Sequence, residues 1–530
     1  MRTLTAFDLL AKSSPASVST QGRSTDAEQR LKDYLYVQEG VHEALVDAME
    51  KRSSEPRAIV FLCGTSGDGK SELLRRIRSG FEERYRFHVD ATHSFRPDGT
   101  ALDTLEDFFD DPDVRPVVVG INLGMLANFA NHDQGGHCEL KAEIQRFFKA
   151  QPSKVHGRAT FINFNDFPKF SAGVAGAVES LFLDELIRRI TSCEKGNPVY
   201  ESLKSDRKQQ TRRWKNYRLL GMPEFRKQLI NTLAVCHLRD GVFLPNRTIL
   251  DTIHSLVDGP SYIFDQLFCS SSSEVLRACR GLDPAERRGK ETDTFLLCPL
   301  SPEAKAFRAE LEERSGVSLD DASPIGLLRL FFMLQSDKSI GNDFHKRFRD
   351  DFGVDALTRY MATWAAHQAH DREAIRAFCD GTLRPAVLAY ANRSHPGVGL
   401  GRLYLGERGE LHLSAPVHLR VPLTAAASAV TSSGIDHFYA TVRPISDGSV
   451  IQVRITYRFY ELLSKVRSGY RPQPYDKSTV MQLDALVESV MREVAAGDEL
   501  ILTDRSSNGR RGRSYRLRQE GADIEVEELE

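Results

Sequence analysis

The segment Ala58–Ser71, AIVFLCGTSGDGKS, constrains this chain more than any other part of it. Its apolar run, Ala58–Cys63, offers no polar side to water. It reads as a strand buried on both faces, the kind found in parallel sheets covered by helices. The run leads directly into Gly64-Thr65-Ser66-Gly67-Asp68-Gly69-Lys70-Ser71, which fits G-x-x-x-x-G-K-[ST] (the Walker A pattern) at every fixed position. A helical stretch, ELLRRIRSGFEER, follows. The chemistry demands these residue types. Glycines let the backbone curl until successive N–H groups point at one phosphate. The start of the next helix adds partial positive charge. Lys70 reaches the β- and γ-phosphates, and the Ser71 hydroxyl ligates Mg²⁺. The expectation is a P-loop at Gly64–Ser71 that binds a nucleoside triphosphate, ATP, together with Mg²⁺.

The surroundings fit that reading. Further apolar runs stand at 85–91 (YRFHVDA), 116–121 (PVVVGI) and 159–164 (ATFINF), with a helix-like segment at 102–109. Strands alternating with helices predict a parallel sheet covered on both faces, an α/β core. Residues 26–52 read as helical, and residues 1–25, rich in Ser, Thr and Ala, as a mobile leader. From 172 to 395 the pattern is mostly helical, with stretches at 173–192, 224–237, 247–257, 303–314, 325–335 and 355–380. From 396 onward short alternating segments suggest strands at 402–405, 410–413, 417–421, 450–457, 499–503 and 514–518, with a helix at 479–496 and an acidic tail, IEVEELE. The chain therefore divides into a leader (1–25), a P-loop core (26–171) of RecA- or AAA-like type, a helical lid region (172–395) and a mixed α+β domain (396–530). At 530 residues it exceeds what one hydrophobic core supports.

Composition excludes several classes. The net charge is −2, so binding to DNA requires a local basic patch. No apolar run is long enough to cross a membrane, and no secretory signal is legible. The eight cysteines form no CxxC pair, as in a cytoplasmic protein with reduced thiols. His132, His137 and Cys138 lie in a polar loop without a second ligand pair at zinc spacing.

Hydrolysis of a bound triphosphate needs a carboxylate at a neighbouring strand end, to hold Mg²⁺ through water. No apolar run here ends in Asp-Glu. The candidates are Asp90, ending YRFHVD, and Asp166, ending TFINFND, with Asp90 preferred. Asn122 ends PVVVGIN, where its amide can sense a γ-phosphate, cap the following helix, or do both. Arg247 follows Pro245 at the start of a helix and can stabilise transition-state charge. Two basic stretches are candidates for DNA contact. Residues 204–218, KSDRKQQTRRWKNYR, interleave Trp214 and Tyr217 with cations. Residues 505–518, RSSNGRRGRSYRLR, are more loop-like. A solvated helix face is the plainer meaning of such charge runs.

The phrases FLCGTSGDGKSELL, HVDATHSF, VVVGINLGMLANFA, FINFNDFPKF, FLPNRTILDTIHSLVDGPSYIFDQLF and YRFYELLSKVRSGYRPQPYDKSTV span nearly the whole chain. Together they resemble the DptF family, the F components of the bacterial restriction machinery that accompanies DNA phosphorothioation. The resemblance implies an antiphage-type restriction role, acting with G and H components to damage DNA that lacks sulfur in its backbone. The residues themselves show no nuclease motif, neither a D-(E/Q)xK cluster on a strand nor an HNH-like histidine array. Other readings stay open: a nucleotide-dependent switch or scaffold with little turnover, an oligomerising signalling ATPase of a defence system, and, less favoured because the chain is far longer than that job needs, a small-molecule kinase.

Overall fold

The computed structural model describes residues 5–11, 26–91, 100–132, 136–149, 157–173, 177–287, 289–335, 356–395, 397–398, 401–420, 434–445, 448–504, 513–520 and 523–529. The protein is α/β. It carries a four-stranded, all-parallel sheet, many helices, and antiparallel sheets in the C-terminal region. Two compact units form: Met1–Ser171 with Glu179–Gly353, and Ala172–Val178 with Val354–Glu530. The helices read over 172–395 are thus shared, those up to Leu334 belonging with the parallel sheet.

In the first unit, α1 (Asp26–Leu35) and α2 (Gly40–Arg52) precede β1 (Ile59–Gly64), and α3 (Lys70–Phe81) follows it. Then come β2 (Arg86–His88), α4 (Ala101–Asp110), β3 (Val117–Asn122), α5 (Leu123–Ala130), α6 (Cys138–Phe148) and β4 (Ala159–Asn163). The strand order is β2-β3-β1-β4. Every residue of β1 is buried, as a strand flanked by neighbours and covered on both faces requires. Val60 and Leu62 pack with Leu73, Leu74 and Ile77 of α3 and with α2. Ile59, Phe61 and Cys63 pack on the other face with α4, α5 and α6. Sheet connectivity explains this split. The β1-to-β2 connection crosses the sheet in one direction, and the next two connections cross in the other. Right-handed crossovers then place α3 on one face and α4 to α6 on the opposite one.

Between two-residue strands β5 (Ser171–Ala172) and β6 (Val178–Glu179) lies the short segment assigned to the second unit. The first unit continues with α7 (Leu181–Thr191), α8 (Pro198–Ser202), α9 (Lys204–Gln209), α10 (Arg212–Leu220), α11 (Pro223–Asp240) and α12 (Asn246–Asp258), then five further helices to Leu334. The helix read from 173 starts instead at Leu181, because the Ser180 hydroxyl accepts the Leu183 N–H and caps it there. Of the expected leader, Thr5–Ala11 is docked rather than loose: Phe7 and Leu10 are buried.

The second unit holds β7 (Arg402–Arg408), β8 (Leu411–Pro416), β9 (His437–Val442), β10 (Ile451–Thr456), β11 (Glu499–Asp504), β12 (Ser514–Glu520) and β13 (Asp523–Leu529). Five of them form an antiparallel sheet in the order β13-β12-β11-β8-β7, and β9 pairs with β10. Helices Ala356–Gln368, Arg372–Phe378 and Tyr457–Arg467 supply an aromatic core, with Tyr360 packed on Phe438, Tyr457 and Tyr460. The strand expected at 417–421 is not formed among its described residues; Arg420 makes a single bridge to Arg443. The acidic tail is strand β13.

Candidate functional site

β1 ends at Gly64, and its register partner on β3 is Asn122. At these two adjacent carboxyl ends the chain departs to opposite faces of the sheet, which opens a crevice there. Residues 65–69 loop through it before α3 begins at Lys70. Gly67 and Gly69 have φ of +89° and +99°, left-handed values that favour glycine. At Gly67 space is also short: a Cβ there would stand 3.3 Å from Arg247 Cβ and 3.5 Å from Pro245 Cβ.

The loop braces itself. The buried Asp68 carboxylate accepts the Thr65 N–H at 2.6 Å and the Thr65 hydroxyl at 2.9 Å. Lys70 Nζ donates to the Thr65 carbonyl at 2.7 Å. Burial pushes the Lys70 ammonium below its usual range, and the charges of Asp68 and Asp90 oppose that shift. Burial also pushes the Cys63 thiol up to about 12, so it is an inert core group.

The N-terminus of α12 abuts this loop. The Arg247 N–H donates to the Gly67 carbonyl at 3.3 Å. The Asn246 amide donates to the Asp68 carbonyl at 3.1 Å and to Glu39 Oε1 at 3.3 Å. Lys169 in turn bonds Asn246 Oδ1 and pairs with Glu39 at 3.5 Å. Loop, α12 and the α1–α2 connection are therefore held by one polar network.

A cavity of about 360 Å³ opens at this junction. That volume lies within the usual range of small-molecule sites. Its wall includes Ser66–Ser71, Asp90, Asn122 and Arg247, which converge on one space, whereas Gly64 and Thr65 of the loop are not part of the wall. Asp90 follows β2 and is fixed by the Ala91 N–H bonding the Gly120 carbonyl at 3.0 Å. Asn122 occupies the N-cap position of α5, yet its side chain makes no capping hydrogen bond. Asp166 is exposed and lies outside the cavity wall, in the turn Phe164–Asp166.

Sequence reasoning missed the other half of the wall. Leu10, Leu35, Tyr36, Phe182, Leu186 and Leu250 give it an apolar side. They come from the N-terminal segment, α1 and its exit, α7 and α12, so no local pattern announces them. Glu39, Asn246 and Lys169 were missed for the same reason.

The basic stretch 204–218 does not present its aromatic side chains. Trp214 and Tyr217 are buried, and the Tyr217 hydroxyl donates to the Ile190 carbonyl at 3.0 Å. Arg212 pairs with Asp321 and lies 3.4 Å over the Tyr262 ring; Arg213 pairs with Asp258. Base stacking by Trp214 and Tyr217 is thereby ruled out in this fold. In the second stretch, 505–512 lie outside the described residues. Arg516 pairs with Glu499 at 2.9 Å and Glu527 at 2.8 Å. His137 pairs with Asp110 at 3.1 Å, and among the described residues no group of three His, Cys, Asp or Glu side chains suits a metal ion.

Fold and site together define an α/β protein with a cleft at the carboxyl ends of a parallel sheet. No protein family, curated protein or solved structure matches the chain. No helix among the described residues is long and apolar enough to cross a membrane.

Proposed function

We propose that this chain is a P-loop protein of RecA- or AAA-like type that binds ATP with Mg²⁺ and hydrolyses it. The carrying observation is the convergence of Ser66–Ser71, Asp90, Asn122 and Arg247 on one cavity wall. In this reading the loop N–H groups and Lys70 hold the β- and γ-phosphates. The Ser71 hydroxyl and, through water, the Asp90 carboxylate hold Mg²⁺. Both are hard oxygen donors, and Mg²⁺ is commonly held by one or two carboxylates plus substrate phosphates. Asn122 orients the attacking water or the γ-phosphate, and Arg247 offsets charge that develops on transfer. A bound triphosphate would also favour the charged form of Lys70 that burial disfavours.

The wider role rests on the resemblance to DptF proteins. In that role the ATP-bound chain works with G and H components on DNA lacking phosphorothioate. DNA contact through 204–218 would fall to exposed cations such as Lys204 and Lys208, touching phosphates and not bases. The test is Lys70→Ala in calorimetry and in a restriction assay. Loss of both ATP binding and restriction is expected. Normal restriction of unmarked DNA by this variant sinks the ATPase role.

One observation favours a second reading, a nucleotide-operated switch with little turnover. Three of the carboxylates in the cavity wall hold neighbours: Asp68 is bonded to Thr65, Glu39 to Asn246, and Glu72 to Arg75 and Arg76. These three serve the fold, and β2 runs into Asp90-Ala91 with no glutamate after the aspartate to activate water. Phosphate release by purified protein, with and without DNA and partner components, separates the two readings.

A further inference from the structure

We propose that the N-terminal segment Thr5–Ala11 is the lid of the base end of this cavity, so that binding of the purine ring depends on the segment being docked. The inference rests on the nucleotide reading above and adds the part of the chain that recognises the base. Leu9 and Leu10 line the same cavity as the glycine-rich loop. Leu31 and Leu35 of α1, Tyr36, and Leu250 of α12 add apolar surface to the wall, to which α1 also contributes Glu28 and Lys32. Such a surface suits the faces of a flat heteroaromatic ring and not a phosphate.

The segment is built to hold those leucines in place. The Asp8 carboxylate accepts the Thr5 N–H at 2.9 Å and the Thr5 hydroxyl at 2.8 Å, which closes a turn into the short helix Asp8–Leu10. Phe7 is the anchor. It is fully buried, stacks on the His254 ring at 4.9 Å between centroids, and has the Arg213 guanidinium 5.5 Å from its ring. His254 belongs to α12, and so does Arg247, seven residues earlier. Residues seven apart lie on nearly the same face of a helix, two turns apart. The helix that grips the lid is therefore the helix whose first turn touches Gly67 and Asp68 of the loop. Lid docking and phosphate-loop geometry share one rigid element.

The experiment compares ATP with inorganic tripolyphosphate by calorimetry, using the full chain, Phe7→Ala and Leu9→Asp. Both variants should bind ATP about tenfold more weakly, a loss of about 1.4 kcal/mol. Both should bind tripolyphosphate as the parent does, because the phosphate subsite lies on the sheet. Chymotryptic cleavage within Phe7–Leu10 of the unaltered chain should slow with ATP and not with tripolyphosphate, a readout that needs no folded variant. Parental ATP affinity in both variants, or cleavage indifferent to ATP, overturns the lid while leaving nucleotide binding intact. Failure of the unaltered chain to bind either ligand overturns the nucleotide reading and the lid with it.

Discussion

Gly64 and Asn122 stand opposite one another in register, at the carboxyl ends of two neighbouring parallel strands. The strand under Gly64 leads into the glycine-rich loop; the strand under Asn122 leads into α5, whose cap position Asn122 occupies without capping it. The amide therefore has little structural work to do. Asn122→Ala should change stability by less than about 1 kcal/mol, below the usual cost of a lost cap. If the amide acts on the γ-phosphate or the water, turnover should fall about ten- to a hundredfold, the scale of one hydrogen bond made in the transition state. Thermal melts and steady-state phosphate release on the same preparation check both halves. Unchanged turnover would exclude Asn122 from the reaction.

The two candidate acids are separated by position. Asp90 lies in the cavity wall, and Asp166 is exposed outside it. Asp90→Asn should abolish Mg²⁺-stimulated turnover while ATP still binds through the loop. Asp166→Asn should leave both intact. Titrating Mg²⁺ against the turnover of each variant makes the comparison; the reverse pattern would place the metal at the far side of β1.

Gly67→Ala tests how closely α12 is seated on the loop. The substitution imposes left-handed strain of about 1–2 kcal/mol. It also drives a Cβ to within 3.3 Å of Arg247 Cβ. The expected result is a lower melting temperature together with weakened ATP binding. Gly80, in α3 with open space around its Cβ position, is the control: Gly80→Ala should be neutral or stabilising by up to about 1 kcal/mol.

What the sequence disclosed follows from locality. The strand, loop and helix of Ala58–Phe81 were legible because each signal is contiguous and the chemistry fixes its spacing. Asp90 and Asn122 were legible because strand ends in a parallel sheet gather on one edge. The apolar wall was not, since Leu10, Leu35, Leu186 and Leu250 meet only after four helical elements pack. The Ser- and Thr-rich composition of 1–25 masked Phe7, Leu9 and Leu10, the apolar cluster that docks. The terminal carboxylates read as an acidic tail. They form strand β13, where Glu527 faces Arg516 of β12 and the opposite charges support the pairing. Trp214 and Tyr217 suggested base stacking by composition, whereas the α10 helix turns both inward.

Acid should destabilise the parallel-sheet unit through His88. This side chain is buried, packs edge-on against Phe108 at 5.1 Å, and has its pKa lowered by burial, against the opposing charge of Asp90. Its folded pKa thus lies below the unfolded value of about 6.5. The stabilisation is fully present above pH 6.5. It is lost as pH falls from there toward the folded pKa, because only the unfolded chain takes up the proton. The slope for one such histidine is at most about 1.4 kcal/mol per pH unit. His254, half-buried in the same unit and lowered by desolvation, adds to it. Urea midpoints from pH 7.5 to 5.5 should decline, and His88→Leu should flatten part of that decline. An identical slope in the variant would exclude His88 as a source.

Arg247 joins the site from within the same chain. Its backbone N–H holds the Gly67 carbonyl, and its side chain enters the cavity wall. Supply in cis means that turnover per chain should not depend on protein concentration. Arg247→Ala should lower turnover about 10²- to 10³-fold, the scale for removing one preorganised charge or donor from a transition state. ATP affinity should change far less, because the backbone contact to Gly67 survives the substitution. Arg247→Lys should restore only part of the rate, since a point charge lacks the planar fork of the guanidinium. Specific activity measured across a wide dilution series, for the parent and both variants, decides the matter. A rate that rises with concentration, or mixtures in which inactive Lys70→Ala chains rescue Arg247→Ala chains, would show that the working arginine comes from a neighbouring subunit.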